Sequence, residues 1–315
     1  MNPRLSALAE RQGEVFSRGQ ALASGYTPRQ VADRLADGRW ERVRHGQYAE
    51  RSDVSAMPPW EQQRVRHLRA IHAVLNAHRD GAVVVSHQSA LALHGMPLWG
   101  LDLKHVHVTR ARDRAGGLVA GVQHHLGRLV PADVNHADGV PVTTVPRALI
   151  ETACTTSFEA AVVAADAVLH EGRVDEAELL RLLQVIEFWP GSPVARAAVR
   201  FADARSESVG ESRLRVLMHQ FDLPAPALQA EFYDADGFIA RVDFHFPLDD
   251  TVVEFDGLLK YGGGSPDVLI QEKRREDRLR ALGLQVVRAT WSDFNRPARL
   301  AAAIRGALTR AQKAA

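Results

Sequence analysis

Between Ala240 and Lys260 the chain reads ARVDFHFPLDDTVVEFDGLLK, and this stretch leaves few ways to fold. Val242, Phe244 and Phe246 alternate as one face of a β-strand, Pro247, Asp249 and Asp250 make a turn, and Val252 and Val253 start a second strand. Carboxylates sit inside both strands. Asp243 interrupts the first, Glu254 and Asp256 flank Phe255 at the end of the second, and Gly257 breaks it. Carboxylates at the ends of adjacent strands repel one another unless a cation or a proton offsets the charge. A divalent ion is the simplest remedy. One or two carboxylates, with the remaining positions left to water and phosphate, are the ligands magnesium prefers.

The flanking segments extend the pattern. A helix carrying Glu211 (SVGESRLRVLMHQF) precedes the hairpin, a basic helix (QEKRREDRLRALG) follows it, and then come a strand, LQVVRAT, and a closing helix from about Arg296. Asp243 followed by Glu254-Phe255-Asp256-Gly257 resembles the metal-binding core of the PD-(D/E)xK nuclease superfamily, most closely the branch related to very-short-patch-repair endonucleases. The resemblance covers residues 205 to 312 and implies a restriction-endonuclease-like domain over 205–315, a mixed sheet flanked by helices. It implies Mg2+ (or Mn2+) held by Asp243 and Glu254, with Glu211 reaching it directly or through water and Asp256 supporting these ligands or binding a second ion. The family's acid-x-Lys reads Glu254-Phe255-Asp256 here, so the positive charge for the transition state falls to Lys260 or Lys273. Arg274 and Arg275 are expected to clamp phosphate, and Tyr261, before a glycine run, to stack on a base or cover the core.

A chain of 315 residues should hold two or three domains, since single cores stop growing near roughly 250–300 residues. No apolar run approaches the roughly 20 residues of a membrane span. The start, MNPRLSALAERQ, lacks the apolar stretch of a signal peptide, so a cytoplasmic location is expected. The single cysteine, Cys154, has no partner for an internal disulfide and is expected as a buried helix residue. With a net charge of only +1, any footprint for a polyanion must be local.

Residues 1–51 supply such a footprint. Ser17 caps a short helix ending at Gly25; Thr27 is the N-cap of a second, with Pro28 at its first position and Gly38 after its last turn. Val31 and Leu35 face inward. RWERVRHGQYAE then suits a small hairpin turning at His45-Gly46. Two helices across a glycine turn followed by a hairpin make a winged helix-turn-helix. The segment resembles the N-terminal domain of AbiEi-type antitoxins, and Arg29, Gln30, Arg34, Arg42 and Arg44 are the residues expected on duplex DNA.

Residues 52–59 read as a linker. Residues 60–200 alternate strands and helices, giving a mixed α/β middle domain that grades into a helical connector. Its histidines (His87, His94, His105, His107, His124, His125) show neither HExxH spacing nor a cysteine partner, so they are expected at strand surfaces and helix ends rather than around zinc. No phosphate-binding glycine loop is present.

Two functions of different class follow. The first is a metal-dependent DNA endonuclease or nickase, a phosphodiester hydrolase targeted by the winged helix. The second is a non-catalytic DNA-binding regulator of the AbiEi antitoxin kind, with a degenerate nuclease fold and a toxin or a second copy of the chain as partner. DNA binding alone has no need of carboxylates, which repel phosphate; this favours the enzyme. The missing lysine favours the regulator.

Overall fold

The computed structural model describes residues 1–78, 83–110, 116–137, 139–257 and 266–314. It divides into two compact units, residues 1–164 with 172–200, and residues 165–171 with 201–315. The architecture is mixed α/β with several sheets.

The first unit begins with α1 (Pro3–Glu10), β1 (Val15–Ser17), α2 (Arg18–Ala23), α3 (Pro28–Ala36), β2 (Trp40–Arg44) and β3 (Gln47–Glu50). The strands form an antiparallel sheet in the order β1-β3-β2, with Phe16 opposite Tyr48 and Trp40 opposite Glu50. Leu5, Phe16, Tyr26, Val31, Trp40 and Tyr48 share one core, where the Phe16 and Trp40 rings meet edge to face at 4.7 Å. This helix–strand–helix–helix–hairpin order is that of a winged helix.

The same unit continues with α4 (Pro59–Leu75), β4 (Val84–Val85), α5 (His87–Leu93), β5 (Val106–Arg110), β6 (Gly117–Val119), β7 (Val122–Leu126), β8 (Val134–Ala137), β9 (Val140–Thr143) and α6 (Val145–Ala153). Among the described residues these strands make a six-stranded sheet ordered β6-β7-β5-β4-β9-β8. β5 runs parallel to β7 and β4 to β9; the other pairs are antiparallel. Every residue of α6 from Arg147 to Ala153 is buried, as are His87 to Ala92 on α5, so both helices lie inside the unit. Then come α7 (Phe158–His170), α8 (Glu176–Val185) and α9 (Ser192–Phe201).

The second unit takes residues 165–171 from α7 and adds α10 (Val209–Gln220), β10 (Ala227–Asp234), β11 (Gly237–Phe246), β12 (Thr251–Asp256), α11 (Pro266–Ala281), β13 (Gln285–Thr290) and α12 (Pro297–Ala314). β10, β11 and β12 form an antiparallel meander, and β13 pairs with β12 in parallel, a join that needs the crossover helix α11. The turn between β11 and β12 closes on Asp250, in left-handed conformation at φ +38°, a region aspartate tolerates better than most residues.

Phe244 and Phe246 are buried as the alternation requires, in a core with Leu214, Leu217, Leu300 and Ile304. Val242 joins Val252, Leu279 and Leu284 in a second core. In the same unit Asp166 of α7 and Arg215 of α10 form a buried ion pair at 2.7 Å, with Asp166 also accepting from the Asp203 N–H at 2.8 Å.

Candidate functional site

The winged helix is built by two matching caps. The Ser17 hydroxyl accepts from the Gln20 N–H while the Gln20 amide oxygen accepts from the Ser17 N–H; Thr27 and Gln30 repeat the arrangement on α3, at 3.2 and 2.9 Å. Gly25, at φ +98°, makes the turn between α2 and α3 that a side chain would strain. These constraints present one face of α3 to solvent and bury Val31.

Arg29 and Gln30 are exposed on that face, and Arg42 is exposed on β2. Gln30 is among the residues expected on duplex DNA, and its amide oxygen is engaged by the cap, which leaves only its NH2 to reach outward. Arg34 is half-buried, its guanidinium 5.0 Å from the Tyr26 ring centre and 5.4 Å from Trp40. Arg44 also lies partly inside. Burial pushes its pKa down, and its Nη1 has no hydrogen-bond partner among the described residues. Of the five residues expected on DNA, Arg29, Gln30 and Arg42 are exposed, while Arg34 and Arg44 are half-buried.

The carboxylates of the second unit also sit on neighbouring elements: Glu211 in the first turn of α10, Asp243 on β11, and Glu254 and Asp256 on β12. The β11–β12 ladder runs as far as Phe244 opposite Val253. Just beyond, the Asp243 carboxylate accepts the Phe255 N–H at 2.7 Å, so a side chain replaces the backbone partner. Glu211 accepts from the Glu207 N–H and from Gln229 Nε2, both at 3.0 Å. Gly210 makes its position possible, since a Cβ there would stand 1.9 Å from Cε1 of Phe255.

Burial pushes the carboxyls of Glu211, Asp243 and Glu254 above their ordinary values. At Glu254 the opposing influence comes from two arginines. Arg275 on α11 bonds directly to its carboxylate, and Arg288, its register partner on β13, lies 3.7 Å away. The cation that the sequence demanded beside Glu254 is thus supplied by the chain. Arg275, expected on phosphate, is committed to this pair. Glu211, Asp243 and Glu254 do not converge as the ligands of a single ion would; the converging group among the described residues is a set of histidines elsewhere. The arrangement as it stands therefore does not fit a magnesium ion held by all three carboxylates.

Lys273 and Arg274 are exposed on α11. Lys273 is about 200° round the helix from Arg275, on a solvent groove with Glu276, Arg280 and Arg288. Lys260 and Tyr261 lie outside the described residues. Sequence reasoning missed the Arg275–Glu254–Arg288 arrangement; its one signal was Arg288, the single charge in the strand LQVVRAT.

Residues 3–51 match the family model described as "Transcriptional regulator, AbiEi antitoxin", the same segment that forms the winged helix. Two uncharacterized proteins of Mycobacterium tuberculosis, MT2308 and Rv2248, are each 29% identical to this chain over 243 residues, 77% of this chain and 87% of the relative. The crystal structure of the RV2827C protein from Mycobacterium tuberculosis aligns over 73% of this chain and 87% of that one, with a TM-score of 0.39 and 13% identity. None of the helices among the described residues is long and apolar enough to cross a membrane.

Proposed function

We propose that the chain is a DNA-binding transcriptional regulator of the antitoxin type, with duplex DNA as its direct partner and a toxin as its expected protein partner. The observation that carries this reading is the capped, solvent-facing α3 beside the β2–β3 hairpin, in the segment that matches the AbiEi antitoxin family. Such a helix enters the major groove, while arginines on the hairpin meet phosphates. In this reading Arg29 and the amide NH2 of Gln30 face base edges, Arg42 lies on the backbone, and the second unit is a scaffold in which Arg275 and Arg288 neutralise Glu254.

The test is fluorescence anisotropy with labelled duplex from upstream of the protein's own gene, repeated across a salt series. Affinity should fall with salt, and Arg42→Ala should lower the slope of log K against log salt by about 1 for a phosphate contact. Binding no tighter than to unrelated duplex, or an unchanged slope in Arg29→Ala and Arg42→Ala, would remove the reading.

One observation favours a second reading, metal-dependent phosphodiester cleavage. Glu211, Asp243 and Glu254 are partly desolvated carboxylates on α10, β11 and β12, an unfavourable burial that DNA binding does not require. Cleavage would need Arg275 to leave Glu254. Incubation of supercoiled, linear and mismatched DNA with magnesium or manganese, comparing wild type with Asp243→Ala and Glu254→Ala, tests it; cutting that survives both substitutions would rule the site out.

A further inference from the structure

The first unit brings together three histidines that the sequence kept apart. His107 lies on β5 and His125 on β7, and the parallel register that sets Thr109 against His125 puts both imidazoles on one face of the sheet. His87 opens α5 over them. Its ring stacks on His125 with centres 3.6 Å apart, and it adopts φ +53°, a strained conformation for a residue with a Cβ. One ring nitrogen from each of the three lies within 4.8 Å of those of the other two. His87 stands at a helix end, as expected, but it is buried; of the two strand histidines, expected at the surface, His107 is buried and His125 half-buried.

We propose that His87, His107 and His125 form a binding site for a zinc-class divalent transition metal, with one coordination position open to the neighbouring cavity. Imidazole ligands select zinc, cobalt, nickel or copper over magnesium, and three of them with a free position is a pattern known from catalytic zinc. Outer partners indicate which nitrogen each ring offers. Ser86 Oγ is 3.0 Å from His87 Nδ1 and Glu151 Oε2 is 3.6 Å from it, leaving Nε2. Gln88 sits 2.8 Å from His107 Nε2, leaving Nδ1, which is 2.9 Å from His125 Nε2.

That last separation is close to the roughly 3.3 Å between neighbouring nitrogens of a tetrahedral ion with bonds of about 2.0–2.1 Å. A metal on His107 Nδ1 requires the proton on Nε2. The Gln88 amide oxygen is buried with no partner among the described residues, and turning the amide would bring that oxygen to the proton, giving up the 3.2 Å bond to the Asp102 carbonyl. Binding also turns the His87 ring out of its stack. An imidazole is largely neutral at pH 7, so the lone pairs that a metal needs are available there.

The cavity, of about 370 Å³, is lined by His87, His125, Thr109, Arg147, Glu151 and Trp189. Arg147 bonds Glu151 at 2.8 Å and lies 4.9 Å from the Trp189 ring, while its Nη2 and the Thr109 hydroxyl have no partners among the described residues. A water or the oxygen of a small anion would complete the coordination beside these donors.

The full chain, stripped with chelator and dialysed, is titrated with cobalt and with zinc. One equivalent should bind, with the visible d–d absorption of nitrogen-coordinated cobalt. His107→Gln and His125→Gln, checked for folding by circular dichroism, should weaken binding by at least about a hundredfold, beyond the 10–100-fold typical of an outer partner. Asp243→Ala and Glu254→Ala should leave it unchanged. X-ray absorption at the zinc edge of the wild-type chain should show three imidazoles, a result that needs no variant to fold. No stoichiometric binding by the folded chain, oxygen-only coordination, or binding that the histidine variants retain would overturn the proposal.

Discussion

Replacing Asp166 with alanine strips Arg215 of its carboxylate inside the second unit, where Asp166 is 0% and Arg215 8% exposed. The guanidinium keeps the Phe201 carbonyl at 2.6 Å and the Phe201 ring at 4.7 Å, but neither neutralises its charge. The Asp203 N–H also loses its acceptor. Breaking a buried pair from one side costs about 3–5 kcal/mol, whereas replacing both partners with apolar groups of similar volume is neutral or stabilising. Asp166→Ala should therefore destabilise the second unit by about 3–5 kcal/mol, and the double variant Asp166→Leu/Arg215→Met should recover most of it. Because two units need not unfold together, the assay is hydrogen-exchange mass spectrometry in a urea series, read on peptides of α10, β11 and β12. A loss below about 1 kcal/mol in Asp166→Ala, or a double variant as unstable as the sum of the singles, would refute the reasoning.

Other outcomes follow from the same geometry. Thr27→Ala removes the α3 cap and should cost about 1 kcal/mol in a urea melt of the first unit, with weaker DNA binding because α3 loses its fixed start. Gly210→Ala drives a methyl into the Phe255 ring, itself held against Trp291 and Phe294, and should cost about 1–3 kcal/mol despite alanine's better helix propensity; an unchanged melt would show that the ring yields freely. Burial holds His67 below its ordinary pKa, between the Leu103 carbonyl and the Ser89 hydroxyl. The unfolded chain then binds more protons than the folded one below about pH 6.5, so this contribution is present above that pH and lost as pH falls through the folded value. Melts of chelator-treated protein between pH 7 and 5 should show a shallower slope in His67→Gln.

The hairpin and caps were legible because each is a local pattern. Phe244 and Phe246 carried the period of a buried strand face, although Val242, read onto the same face, joins a separate core, and Thr27-Pro28-Arg29-Gln30 encodes both halves of a capping box within four residues. The histidine cluster was not, since His87, His107 and His125 meet only through a parallel pairing of β5 with β7 and the placement of α5 above them. The fate of Arg275 was hidden for a related reason. Sequence gives its phase on α11, but the strand partner that phase meets depends on the crossover that sets β13 beside β12.

The chain crosses between its two units three times, at 164/165, 171/172 and 200/201, the first time within α7. No single cut can release either unit whole. A fragment starting at residue 201 would keep Arg215 and leave Asp166 behind, so it would inherit a buried cation with nothing to answer it. Gene fission or shuffling at residue 200 is thereby penalised, because the border of the second unit along the chain is not the border of its buried charges.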